Sequence, residues 1–424
     1  MSGQYKAPKG THDILPPEAR AWQRLETIVR SVMDRFGYEE IRTPIFEETT
    51  LFARSVGETT DIVKKEMYTF TDKKGRSLTL RPEGTAPAVR AFVEHHLGRG
   101  ARLTKLFYVG PMFRYERPQA GRFRQFHQFG AEAIGSADPE IDVDVIALFV
   151  RVLEETGIAG LSVALNSVGD ANCRPLHVAA IREALASHKD ALCPDCKERL
   201  ERNPLRILDC KVPACRGLAA RIPPATDFLC DACRAHHAAV EAGLAALGVV
   251  FRLDKNLVRG IDYYTRTAFE IHHGALGAQN ALGGGGRYDG LVAELGGAPT
   301  PGIGFAAGME RILTVLGEAP ARPRGVVAVL PLGAAEEAAA RRLLYELRRV
   351  APAEIVAGDA GLGKKLRAAN EMGARFAVIL GEDEVRAGRP LLKDMETGEQ
   401  TPMSEPEIIA RVAAVAPPPT KESS

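Results

Sequence analysis

Along the first third of the chain, apolar residues fall at helical spacing and then at strand spacing. Trp22, Leu25, Val29, Val32 and Phe36 recur every three or four positions, after Pro16-Pro17 and before Gly37. That spacing predicts an amphipathic helix with its stop signal. Short β-rich runs follow at 41–47, 77–81, 105–114 and 126–134, with charge and glycine in the loops. Residues 85–97 predict a helix capped by Thr85, and 141–156 a second helix. Strands and helices mixed without regular alternation predict an α+β domain around an antiparallel sheet.

The pattern changes at about 172, where cysteines enter, and ends in an alanine-rich helix up to Leu247. This stretch reads as an insertion. Strand and glycine-loop chemistry resumes at 256–271 and 281–316. A Pro/Gly-rich linker, 317–325, precedes regular strand–helix alternation: strands at 326–330, 354–357 and 376–380, helices at 336–350 and 363–372. A strand at 391–394, a Thr-Gly turn, another strand and a helix at 405–415 complete a small α/β domain. The expected parts are a catalytic domain split into 1–171 and 251–320, an insertion at 172–250, a C-terminal domain at 325–415 and a disordered tail at 416–424.

Composition adds bounds. A length of 424 residues suits two to three domains, and 45% apolar against 26% charged residues supplies several cores. Lys+Arg total 55 against 54 Asp+Glu, which excludes a globally basic or polyanionic protein but not a local basic strip. Neither a leader-type apolar region nor a spanning-length apolar run is present, so the expected location is cytoplasmic, with no membrane partner. The seven cysteines, an odd number, all lie between Cys173 and Cys233 and argue against a disulfide framework.

The densest chemistry lies in FRYERPQAGRFRQFHQFGAEAIG, 113–135. Arg114, Arg117, Arg122 and Arg124 surround a turn between two strands. Guanidinium forks suit phosphate oxygens, although a solvated hairpin with surface arginines fits the same pattern. Alternation puts Gln128, Gly130 and Glu132 on one face, where the glycine leaves room for a ligand. In LRPEGTAPA, Glu83 ends a strand before Thr85; it is a site residue or an acid favoured by the helix dipole. In LVRGIDYYTRTAFE, alternation groups Asp262, Tyr264, Arg266 and Glu270 opposite Ile261, Tyr263, Phe269 and Ile271. Arg259 precedes Gly260 at the strand's edge.

Two glycine loops are decoys or worse. Gly302-x-Gly304-x-x-Ala307 lacks the preceding strand and following acid of a dinucleotide fingerprint, and 358–365 lacks the Ser or Thr of a phosphate loop. The four glycines of ALGGGGRYDGL would let a ligand's ring approach the backbone. Arg311 falls in the first turn of a helix, where the dipole disfavours a cation, so it is expected to face an anion.

Together these segments resemble the class II aminoacyl-tRNA synthetases, and among them the histidyl-tRNA synthetase family. IRTPIFE is similar to motif 1, with Pro44 at the dimer-contact position, 113–132 to motif 2, and PGIGFAAGMERIL to motif 3. LVRGIDYYTRTAFE and GGGRYDGL resemble the two histidine-specific signatures, and the likeness covers about residues 5 to 412. The resemblance implies an antiparallel-sheet catalytic domain and a C-terminal α/β anticodon-binding domain. It implies a homodimer that joins L-histidine to histidine tRNA through a histidyl-adenylate, using ATP with Mg²⁺. On the family pattern Arg114 and the catalytic Arg259 grip the α-phosphate, Arg311 holds the γ-phosphate, and Arg122 lies nearby. Glu83, Thr85 and Gln128 bind the α-amino end; Glu132 and Tyr264, with Tyr263 beside them, read the imidazole.

The C-terminal 325–424 carries 13 Lys+Arg against 15 Asp+Glu, so RNA binding there rests on resemblance alone. Cys193-Pro-Asp-Cys196 and Cys230-Asp-Ala-Cys233 are two CxxC pairs with Cys210 and Cys215 between them. They read as one structural zinc site, Cys193, Cys196, Cys230 and Cys233, or as reduced thiols. His236 and His237, just after Cys233, could substitute as ligands, but the expectation is an exposed helix. The alternatives to a synthetase are a histidine-binding regulatory subunit that charges no tRNA and a zinc-containing RNA-binding module.

Overall fold

The computed structural model describes residues 5–57, 60, 62–118, 121–258, 263–279, 281–317 and 325–415. Two compact units, Met1–Ala319 and Pro320–Ser424, divide the chain.

In the first unit α1 (Pro16–Arg35) begins with proline in its first turn and ends before Gly37, whose φ of 74° turns the chain away. Next come β1 (Glu39–Glu40), β2 (Phe46–Glu48), α2 (Thr49–Val56), β3 (Tyr68–Thr71), β4 (Ser77–Leu80) and α3 (Thr85–Glu94). A long hairpin, β5 (Thr104–Phe113) and β6 (Gln125–Ile134), leads to α4 (Pro139–Glu155) and β7 (Ser162–Ser167). The cysteine-bearing stretch holds α5 (Arg174–Leu185), α6 (Pro194–Arg202), α7 (Pro213–Ala219) and α8 (Asp231–Ala246). The unit closes with β8 (Phe251–Leu253), β9 (Thr265–His272), β10 (Ala281–Arg287), α9 (Leu291–Glu294), β11 (Gly302–Gly308) and α10 (Met309–Leu316).

Eight strands form one sheet in the order β1-β5-β6-β11-β10-β9-β7-β8. The six central strands are antiparallel; only the edge strands β1 and β8 run parallel to their neighbours. Strand alternation sends Phe129, Ala131, Ile303, Phe305, Phe269 and Ile271 to one face, under α1, α4 and α8. Phe149 of α4 stacks on Phe305 at 4.5 Å. Each large side chain buried there contributes roughly 1.5–3 kcal/mol. The other face carries Gln128, Gly130 and Glu132.

Three expectations change. The helix bearing His236 and His237 is not exposed: both rings are buried, and α8 contributes Val240 and Leu244 to the main core. His236 Nε2 lies 3.0 Å from Asp142 Oδ1. Among the described residues the strand expected from 256 starts at Thr265, and just inside it Arg266 has a φ of 49° and the β9–β10 register shifts. Alternation therefore fails there: Tyr263 and Tyr264 pack together at 4.7 Å rather than facing apart. Asp262 and Ile261 lie outside the described residues.

The second unit is a five-stranded sheet, β13-β12-β14-β15-β16, built from β12 (Val326–Pro331), β13 (Ala353–Ile355), β14 (Ala374–Leu380), β15 (Leu391–Asp394) and β16 (Gln400–Pro402). Helices α11 (Glu337–Leu347), α12 (Leu362–Glu371), α13 (Glu382–Ala387) and α14 (Glu405–Val415) complete it. Val327 and Val329 pack with α11 and α14, Ala328 and Leu330 with α12, so β12 is covered on both faces.

Candidate active site

On the polar face of the large sheet lies a cavity of about 490 Å³. It brings together Glu83, Thr85, Gln128, Tyr263 and Tyr264 with Arg114, Arg122 and Arg311. Those eight residues come from four separate segments of sequence, and the fold is what joins them. Arg259 lies outside the described residues; Tyr263 and Tyr264, a few positions on, are cavity wall.

Glu83 is buried, and its carboxylate accepts hydrogen bonds from the amides of Thr85 (2.6 Å) and Ala86 (2.9 Å). Thr85 does not cap α3 through its own side chain, as expected from sequence; Glu83 does so from outside the helix. Burial raises the Glu83 pKa, while these amides and Arg114 oppose the rise. Arg114 Nε donates to the Pro82 carbonyl at 2.9 Å, and its charge acts on both Glu83 and Arg311. Glu116, which sequence reasoning did not single out, ion-pairs with Arg122 at 3.1 Å and lies 4.0 Å from Arg114. Arg311 Nη1 donates to the Ala281 carbonyl at 2.6 Å. Burial, and then the neighbouring Arg122, lower the Arg311 pKa. Glu116 serves Arg122 and Arg114, while Glu116 and Glu270 act on Arg311, and the guanidinium forks keep donors for an anion.

Gln128 Oε1 is shut off from solvent and has no hydrogen-bond partner. A buried acceptor left unpaired costs on the order of 1–3 kcal/mol, and a donor brought by a ligand would remove that cost. Its cross-strand neighbours are Gly110 and Gly308, which carry no side chain to reach it.

Glu132 lies one layer beneath the cavity and is not part of its wall. Tyr288 Oη donates to Oε2 at 2.6 Å and Tyr108 Oη to Oε1 at 3.2 Å. Burial pushes its pKa from 4.5 to about 8, despite these hydroxyls and Thr85, which favour the ionised form. Neither tyrosine was legible as a site residue. The room left by Gly130 is also not for a ligand: a Cβ there would meet Tyr108 Oη at 2.4 Å. Gly304 is required for the same reason, since a Cβ would fall 1.9 Å from Glu132 Oε2. Of the four consecutive glycines, Gly283 and Gly284 line the cavity. Arg287 in the same signature points the other way, into Asp142 at 2.6 Å, with both side chains fully buried.

The single zinc site expected from the two CxxC pairs does not form. Cys193 and Cys196 gather with Cys210 and Cys215, whereas Cys230 and Cys233 gather with Asp170 and Cys173. The reason is topological: α6 lies within the insertion's own small core, while α8 returns to the catalytic sheet.

An antiparallel sheet carrying this arginine-lined cavity, with a separate α/β unit after it, is the architecture of a class II aminoacyl-tRNA synthetase. The chain belongs to the histidyl-tRNA synthetase family: the family model of that description matches residues 10–192 and 208–312. A second model, described as an anticodon binding domain, matches residues 326–414. A histidine–tRNA ligase of Solibacter usitatus is 49% identical over 97% of this chain and 99% of its own length. One from Moorella thermoacetica is 52% identical over 93% and 94%. The crystal structure of the apo histidyl-tRNA synthetase of S. aureus superposes with a TM-score of 0.82, at 36% identity, covering 97% of this chain and 100% of that one.

Proposed function

We propose that the cavity is where histidine and ATP meet, and that its two groups of side chains divide the work. The protein is a histidine–tRNA ligase, attaching histidine to its tRNA at the expense of ATP. The carboxylate of histidine attacks the α-phosphate, releasing pyrophosphate and leaving histidyl-adenylate; the terminal ribose hydroxyl of the tRNA then takes the histidyl group. Charge grows at phosphorus in the first step, so fixed cations beside it stabilise the transition state most. Arg114, whose charge acts on both Glu83 and Arg311, takes that role, with Arg259 as its partner. Arg122 and Arg311 hold the outer phosphates. Mg²⁺ enters with the nucleotide, held mainly by phosphate oxygens.

The observation that carries the reading is Gln128 Oε1, an unpaired buried acceptor in the same cavity as Glu83 and Thr85. The three form a site for an ammonium group. Tyr263 and Tyr264 supply the aromatic wall, and Glu132, through the layer of Tyr108 and Tyr288, supplies the group that reads an imidazole nitrogen. The second unit takes the anticodon, and the protein works as a cytoplasmic homodimer. Pro44 and the exposed Ile45, Phe46 and Phe70 form the contact surface. No helix among the described residues is long and apolar enough to cross a membrane.

The test is Arg259→Ala. Histidine-dependent exchange of pyrophosphate into ATP is expected to fall at least about 100-fold with an unchanged melting temperature; full exchange by the folded variant defeats the assignment.

A further inference from the structure

We propose that the seven cysteines, joined by one aspartate, build two separate zinc sites: Cys193/Cys196/Cys210/Cys215 within the insertion and Asp170/Cys173/Cys230/Cys233 where it meets the catalytic sheet. In each group the four ligand atoms lie within 4.8 Å of one another. A tetrahedron of sulfurs about zinc, with bonds of about 2.3 Å, has edges of about 3.8 Å. Cys193 Sγ and Cys210 Sγ are 3.9 Å apart, and all seven cysteines are free thiols. The two sets use every cysteine in the chain, and Asp170 accounts for the odd number.

Local geometry repeats between the sites. Cys193 precedes α6 with φ, ψ of −64°, 160°, and Cys230 precedes α8 with −64°, 163°. Cys196 and Cys233 follow in the first helical turn, so each CxxC presents both sulfurs to one side of a helix start. Backbone amides orient the other sulfurs: Cys193 N–H donates to Cys215 Sγ at 3.3 Å, and Asp170 N–H to Cys173 Sγ at 3.3 Å. At the second site Arg266 Nη2 stands 3.6 Å from Asp170 Oδ2, a cation beside what would be a doubly negative centre.

The insertion also needs what a metal provides. Its own core is a small cluster centred on Ile181, Leu185, Leu200 and Ile207, and Cys196, Cys210 and Cys215 belong to it. Its helices α6 and α7 span 9 and 7 residues, too short to be stable alone. One zinc staples this interior. The other ties the start of α5 and the start of α8 to the residues just after β7, closing the insertion's neck.

Full-length protein purified without chelator or a metal-binding tag, analysed for zinc by mass spectrometry, is expected to hold two zinc ions per chain. Zinc-edge X-ray absorption on the same sample is expected to read about three and a half sulfurs per zinc, the mean of a four-sulfur and a three-sulfur site. Cys210→Ser with Cys215→Ser should leave one zinc, bound by about three sulfurs; Cys173→Ser with Cys233→Ser should leave one bound by about four. A wild-type content near one or near zero per chain overturns the proposal, as does a zinc shell dominated by nitrogen or oxygen. Both wild-type readings stand whether or not the variants fold.

Discussion

Replacing Glu132 by glutamine separates its cost to the fold from its service to the substrate. The Glu132 carboxyl is fully buried, and its pKa of about 8 against an ordinary 4.5 means that ionising it inside the protein is unfavourable. Because the folded-state value is raised, the stability associated with the neutral group is fully present below about pH 4.5 and is lost as pH rises through about 8. The loss reaches about 5 kcal/mol at its upper bound. Glutamine keeps the shape and cannot ionise. Ligand-free Glu132→Gln should therefore melt close to wild type at pH 5 and several degrees higher at pH 8.5, the gap widening steadily between. In the same variant histidine-dependent pyrophosphate exchange should drop roughly 10- to 100-fold, through weaker use of histidine rather than of ATP. A melting difference that does not change with pH refutes the buried titration. Unchanged use of histidine refutes the imidazole reading.

Two further predictions concern the buried ion pair on the core side of the sheet and the phosphate end of the cavity. Asp142→Ala strands Arg287, whose Nε and Nη2 lie 2.8 and 2.6 Å from Asp142, without its buried counter-charge. Denaturant unfolding should show a loss of about 3–5 kcal/mol; a loss under 1 kcal/mol would mean the pair is not the brace it appears in the geometry. Arg311→Ala should raise the KM for ATP roughly 10- to 100-fold with little change in that for histidine, read by exchange kinetics. An equal effect on both substrates would remove Arg311 from the phosphate end.

Much of the site was legible where one element sufficed. The period of two along β6 put Gln128 and Glu132 on one face, and the misplaced cation in the first turn of α10 marked Arg311. What escaped needs register between distant strands. Tyr108 faces Gly130 only because β5 and β6 pair with that offset, so the gap looked like ligand space. Asp142 and Arg287 are 145 positions apart. Arg266 broke alternation through a positive φ that a strand pattern does not anticipate. The cysteines were misgrouped because CxxC spacing identifies pairs but not which pairs meet, and nothing in the sequence around Asp170 marks it as a partner.

Pyrophosphate exchange with each of the twenty amino acids in turn, using the purified full-length protein, tests the central claim most directly. Robust exchange with histidine and background exchange with the other nineteen is the predicted result. Absence of exchange with histidine, in a protein that binds it, would contradict the account and favour a regulatory histidine-binding subunit; exchange led by another amino acid would contradict the reading of the pocket.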